Sequence, residues 1–342
     1  MSYKIHIANT DTHFVCEQNQ NILEAAHQAD VLLSYGCKNG FCGSCEAQIK
    51  TGTIDYPEGN PKGITEEEIE KGKVLLCKAV ANSDLSIEAR VEKPETKIEV
   101  KTLPVKVKRL QLLADDVMQV FLELPSTEET FEFLAGQWFY VLMKDGKKRA
   151  FSIANTQNSE KLLEVHIRHA NGGVFTDFVF NELKVGDILK IEGPQGTFFY
   201  HEDYRDIVMV AGGTGFAPLK GIIEDLINRK NQPNIHLYWG VRSKKDLYME
   251  ALIEQWVEKG IVKYTPVLSD PATDDAWTGK TGFVHQIIDE DNESYTDYEI
   301  YMAGPPQMIE ACKQVLKAKN AKNIYYDSFE YSDDATKSLE DE

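Results

Sequence analysis

The chain has 342 residues, 42% hydrophobic and 27% charged, which excludes a collagen-like or disordered polymer, and its length calls for two or three domains. Its 37 Lys and Arg against 55 Asp and Glu leave a net charge of −18, which argues against a nucleic-acid or anionic-membrane partner; the acidity serves solubility, or steers a basic redox partner. The start, MSYKIHIANTDTHF, lacks a basic n-region and a long apolar run, and no later segment reaches the ~18 apolar residues of a membrane span, so a cytoplasmic protein with reduced cysteines is expected.

Residues 3–7 and 13–16 alternate apolar and polar positions and read as a hairpin. NILEAAHQA follows, a helix with Asn21 as cap and Ile22, Leu23 and Ala26 on one face. After a cysteine-rich loop, KVLLCKAV and the alternating LSIEAR, the polar stretch VEKPETKIEVKTLP reads as a linker, with a boundary near 95–102. From 103 to about 200 the runs PVKVKRLQLL, VMQVFLEL, QWFYVLM, RAFSIA and LLEVHIR predict a small antiparallel β-barrel with one helix near GVFTDFVFNEL. From 205 strands alternate with helices: DIVMVA, FAPLKGIIEDLINR, IHLYWG, KDLYMEALIEQWVE, YEIYMAG and PPQMIEACKQVLKA. That rhythm predicts a doubly wound parallel sheet with ligands at the carboxyl ends of its strands.

Three of the six cysteines, Cys37, Cys42 and Cys45, follow C-x4-C-x2-C, and Cys77 comes later in KVLLCKA. This is the plant-type spacing for a [2Fe–2S] cluster. Gly36, Gly40 and Gly43 allow unusual dihedrals and close approach, so that amide N–H groups can point at the sulfides. Structural zinc is the competing reading, but it more often uses two C-x2-C knuckles than one remote cysteine. Cys16 and Cys312 fall outside the pattern and read as small buried residues.

With this spacing, residues 1–95 resemble a β-grasp plant-type ferredoxin domain. RAFSIAN resembles the R-x-Y/F-S flavin signature of the ferredoxin–NADP reductase superfamily, which assigns Arg149 to the FAD pyrophosphate, Phe151 to packing on the isoalloxazine and Ser152 to the hydride-accepting N5. HIRHANGGVFT resembles the second flavin element, which implicates His166, Gly172, Gly173 and Thr176 in cofactor binding at a helix start. VMVAGGTGFAP resembles the nicotinamide-domain turn, with Gly212, Gly213 and Gly215 clearing space and Thr214 beside the nicotinamide; Ser152 and Thr214 are thus the catalytic candidates. Arg242 and Ser243 would meet the adenosine side, and Gly304 and Pro305 belong to the GPP turn. Ala303 stands where the family commonly has Cys, and near the end either Asp327 or Glu330 would approach the nicotinamide.

The resemblance implies three domains, 1–95 for the [2Fe–2S] cluster, 103–202 for FAD and 203–330 for NADH or NADPH, then an acidic tail over 331–342. This order is similar to the reductase components of multicomponent oxygenases and to CDP-6-deoxy-3,4-glucoseen reductases. It implies electron transfer from NADH through FAD and the cluster to a protein acceptor, an oxygenase component or an iron–sulfur dehydratase. A free-flavin or ferredoxin reductase, and a redox-sensing module with a decayed nicotinamide site, are the alternatives. Arg242, Lys244 and Lys245 could equally serve the 2′-phosphate of NADPH.

Overall fold

The structure, a computed structural model, describes residues 1–93, 98–126, 131–157, 160–202, 205–229 and 233–329. The expected acidic tail and Glu330 lie outside the described residues. Two compact units emerge, one of residues 1–97 with 196–198, the other of 98–195 with 199–342.

In the first unit a mixed five-stranded sheet runs in the order Thr12–Glu17, Ser2–Ile7, Leu85–Ala89, Glu46–Thr51, Lys73–Leu75, with the two central strands Ser2–Ile7 and Leu85–Ala89 parallel. The helix Ile22–Gln28 buries Ile22, Leu23, Ala25 and Ala26. Asn21 caps it as expected, its side chain accepting from Glu24 N at 2.8 Å, a cap worth about 1 kcal/mol. Ile5, Ile7, Leu75 and Ile87 fill the core, and Cys16 is buried among them.

The second unit holds two six-stranded sheets. One is antiparallel throughout, in the order Lys148–Ser152, Trp138–Leu142, Ile188–Gln195, Lys101–Ala114, Val117–Glu123, Leu162–Arg168, and its two end strands lie against one another as a barrel requires. Lys101–Ala114 starts inside the stretch read as a linker. Its Pro104 pairs only with Lys190, ahead of the register in which the second neighbour joins at Lys106, so the missing N–H breaks no second ladder.

The other sheet is wholly parallel, ordered Lys280–Thr281, Val262–Leu268, Ile235–Val241, Asp206–Gly212, Tyr298–Gly304, Asn323–Ser328. The chain winds one way from Asp206–Gly212 and then returns to its other side, so the topological switch point lies between Asp206–Gly212 and Tyr298–Gly304. Val262–Leu268 is absent from the sequence alternation above, because Pro266 interrupts a run that would otherwise read as a strand. Cys312 is fully buried on the helix Pro306–Ala318, and that burial pushes its thiol up to about 12.

Candidate functional site

The cysteine loop brings all four predicted metal ligands together. Cys37 N donates to Cys42 Sγ and Cys42 N to Cys37 Sγ, both at 3.3 Å, and Ser44 N approaches Cys42 Sγ at 3.5 Å. Gly40 and Gly43 take φ of +81° and +80°, while a Cβ on Gly36 would sit 3.0 Å from Cys42 Sγ. The thiols interact in two pairs, Cys37 with Cys42 and Cys45 with Cys77. The hydrogen bond from its partner holds Cys37 down at about 6 and lowers Cys77, while Cys42 and Cys45 are pushed well up by the same bonds and by burial. Cys45 and Cys77 are buried and Cys37 and Cys42 half-buried. An all-sulfur donor set with amides aimed at its thiolates fits a [2Fe–2S] cluster.

In the second unit, Arg149, Phe151 and Ser152 lie on the strand Lys148–Ser152. Phe151 packs on Phe175, ring centroids 5.2 Å apart, and Ser152 Oγ donates to Asp327 Oδ2 at 3.0 Å. Thr176 Oγ1 ties off the Gly172–Gly173 turn, its one hydrogen shared between Ala170 O (3.1 Å) and Gly173 O (3.0 Å) while it accepts from Ala170 N. A Cβ on Gly173 would stand 2.7 Å from that hydroxyl, so the turn needs glycine where it caps the helix Val174–Asn181. The Gly173 amide itself closes the turn on Ala170 O at 2.9 Å, and a helix start packed through Phe175 on the strand that carries Arg149 fits the pyrophosphate of a flavin dinucleotide.

His166 departs from expectation. Its side chain is 0% exposed, Nε2 meets Glu164 Oε1 at 2.8 Å and Nδ1 meets Tyr248 Oη at 3.1 Å, so the ring is committed inside the protein and is not presented to a cofactor. Burial lowers its pKa, against the pull of Glu164.

The nicotinamide turn sits at the switch point, where Gly212, Gly213, Thr214 and Gly215 meet Gly304 and Pro305. A Cβ on Gly215 would fall 1.9 Å from Ala303 O, and one on Gly212 would fall 2.8 Å from Pro305 Cδ. The two turns therefore touch backbone to backbone, and Ala303 is fully buried beneath them. Trp239 Nε1 donates to Gly213 O at 2.9 Å, and the Arg168 guanidinium, 3.2 Å from Asp116, reaches the open face of Gly213. Arg242 and Ser243 lie at the end of the neighbouring strand Ile235–Val241, Arg242 exposed and Ser243 held by Asp246 through Oγ (3.1 Å) and N (3.0 Å).

Three contributors escape sequence reading. Arg168 lies within HIRHANGGVFT and Trp239 within YWGVRSKKDLY, and neither motif by itself marks the residue. Lys220 had a signal, a lone cation in the apolar run FAPLKGII.

Fold and sites together define an oxidoreductase that binds a [2Fe–2S] cluster, FAD and a nicotinamide nucleotide on one chain. Residues 5–82 match the 2Fe-2S iron-sulfur cluster binding domain, 104–200 the oxidoreductase FAD-binding domain and 209–314 the oxidoreductase NAD-binding domain. The chain is 37% identical to the CDP-6-deoxy-L-threo-D-glycero-4-hexulose-3-dehydrase reductase of Yersinia pestis, over 92% of this chain and 93% of that one. It is 33% identical to reductase component 1 of terephthalate 1,2-dioxygenase of a Comamonas species, over 96% and 98%. Among solved structures, the Amycolatopsis cytochrome P450 reductase GcoB superposes with a TM-score of 0.74 at 29% identity, covering 96% of this chain and 98% of that one. The chain belongs to the ferredoxin-fused branch of the ferredoxin–NADP reductase superfamily, whose members carry electrons from a nicotinamide nucleotide through FAD to an iron–sulfur cluster. None of the described helices is long and apolar enough to cross a membrane.

Proposed function

We propose that this reductase delivers electrons to a cytoplasmic iron–sulfur dehydratase acting on a nucleotide-linked deoxyhexulose. The observation that carries this reading is the 37% identity, over nearly the whole of both chains, to a reductase named for such a dehydrase. An oxygenase component is the second candidate acceptor, favoured by the 33% identity to the terephthalate dioxygenase reductase.

Bound FAD and a [2Fe–2S] cluster supply, respectively, acceptance of a two-electron hydride and release of single electrons. In our reading residues 1–95, 103–202 and 203–330 are the three domains, and Cys37, Cys42, Cys45 and Cys77 hold the cluster. Arg149, with the helix start formed by Gly172, Gly173 and Thr176, binds the flavin pyrophosphate. Phe151 covers the isoalloxazine and Ser152 stands beside N5; its one hydroxyl hydrogen, held by Asp327 here, would turn to N5 of the oxidised flavin. Gly212, Gly213 and Gly215 leave the nicotinamide room, Thr214 orients it, Gly304 and Pro305 form the opposite wall, and Arg242 and Ser243 receive the adenosine end.

Reconstitution tests the acceptor. The purified reductase is mixed with NADH and either a CDP-4-keto-6-deoxyhexose dehydrase with its sugar substrate or an aromatic-ring dioxygenase with terephthalate. Deoxysugar formation dependent on this chain supports the first acceptor; turnover only with the dioxygenase replaces it with the second.

A further inference from the structure

Outside the cofactor sites, two clusters of titratable groups stand out. His6, Asp11 and His13 meet on the first hairpin, each imidazole Nε2 near Asp11 Oδ1 at 3.2 and 3.4 Å. The two rings are stacked, centroids 4.3 Å apart and planes 9° from parallel. Imidazole lone pairs lie in the ring plane, so these run side by side and do not converge on one ion.

The second cluster is buried and centred on Lys220, whose side chain is 4% exposed. Its Nζ donates to Ala154 O at 3.0 Å and Glu164 Oε2 at 2.9 Å and pairs with Glu224 Oε1 at 2.7 Å, which uses all three ammonium hydrogens. Glu164 in turn accepts from Gln119 Nε2 at 2.6 Å and from His166 Nε2, and Tyr248 Oη closes the chain on His166 Nδ1. Burial alone would raise the Glu164 carboxyl, but His166 and Lys220 overcome it and hold it at about 2.

The placement of these partners gives the cluster its meaning. Lys220 sits on the helix Phe216–Asn228, which follows directly on the Thr214 turn. Ala154 lies two residues beyond Ser152, and Glu164 is on the strand Leu162–Arg168. One turn of the same helix continues the contact. A Cβ on Gly221 would stand 3.1 Å from Ile153 O, and Thr156 Oγ1 donates to Asp225 Oδ1 at 3.2 Å. A buried cation joined to both the flavin-signature segment and the nicotinamide helix costs more in desolvation than an apolar contact of the same size, and what it adds is one defined geometry.

We propose that Lys220 is a positioning residue for hydride transfer. By fixing the nicotinamide helix to the carbonyl of Ala154, it sets the gap between Thr214 and Ser152, and so the separation of the hydride donor carbon from the flavin acceptor. It touches neither reactant.

The test uses the full holoprotein carrying Lys220→Met, which keeps the length of the side chain and removes its charge. Stopped-flow measurement should give flavin reduction slower by roughly tenfold or more. KM for NADH should stay within about twofold, since ground-state contacts with the nucleotide remain. The long-wavelength charge-transfer absorbance of the NADH–flavin pair, which reports ring stacking, should weaken. Should Lys220→Met fail to fold, the paired variant Lys220→Met with Glu164→Gln removes both buried charges and carries the same readouts. A folded variant of either kind with the parent rate and charge-transfer band overturns the proposal. So does a rate loss that vanishes when normalised to bound FAD, which would make Lys220 a stabilising residue alone.

Discussion

Replacing Gly215 with Ala tests the contact between the two nucleotide-side turns. Gly215 has φ −58° and ψ −14°, right-handed helical values at which alanine is favoured over glycine by about 1 kcal/mol, so any loss must come from space. The new Cβ would lie 1.9 Å from Ala303 O, 2.4 Å from Ala303 C and 2.9 Å from Gly304 N. All three are backbone atoms that no rotamer change can move, and clearing even 3.0 Å requires the turns to part by about 1.1 Å. Overpacking of this kind costs about 1–3 kcal/mol, and against the propensity gain we expect a net destabilisation of about 1 kcal/mol, and of about 2 at most. The functional effect should be larger, because a displacement of about 1 Å in a reacting pair costs on the order of 100-fold in rate. Thermal unfolding and stopped-flow flavin reduction by NADH measure the two effects. Gly221→Ala, six residues further on, is the control: its nearest contact would be 3.1 Å, and its loss should be much smaller. A Gly215→Ala protein with the parent melting temperature and reduction rate would refute the reasoning, because it would mean the turns do not touch as described.

Cys42→Ala should abolish NADH-dependent reduction of cytochrome c while leaving NADH–ferricyanide activity, with iron content falling and FAD content unchanged; equal loss of both activities would contradict separate flavin and cluster sites. Ser152→Ala removes one hydrogen bond to the flavin and should slow flavin reduction roughly tenfold, and an unchanged rate would remove Ser152 from the hydride step. Burial holds His236 at about 4 in the folded chain, with Lys263 adding to the effect, against 6.5 for the free side chain. Between those values the unfolded chain carries a proton that the folded chain lacks, so stability falls as pH drops from 6.5 to 4. His236→Gln should flatten that slope in pH-dependent thermal melts; His27 and His166, lowered by burial in the same way, keep it from vanishing.

The four-cysteine spacing, the two flavin motifs and the GGTG and GPP turns are local, and each was readable from the chain because glycine, cysteine and proline mark positions where backbone geometry or ligation permits few other residues. The strand–helix rhythm after residue 205 likewise reflects side-chain periodicity, except where Pro266 hid one strand and where the short strand Lys280–Thr281 and the helix Val284–Asp291 escaped it. What the sequence could not show is which distant groups meet. Nothing in RAFSIAN announces that Ser152 would find Asp327, 175 positions away, although the terminal motif had already left Asp327 and Glu330 as candidates. His166 read as a cofactor residue because it lies in a flavin motif, yet strand alternation puts it on the face of Glu164, opposite the core residues Val165 and Ile167, where Glu164 and Tyr248 take up both ring nitrogens. Lys220 passed unremarked in an apolar run, and its partners, Ala154, Glu164 and Glu224, come together only when helix and barrel pack. Ligand spacing and turn chemistry are properties of short segments and belong to the sequence, whereas the pairing of buried charges depends on long-range packing, which the tertiary structure alone decides.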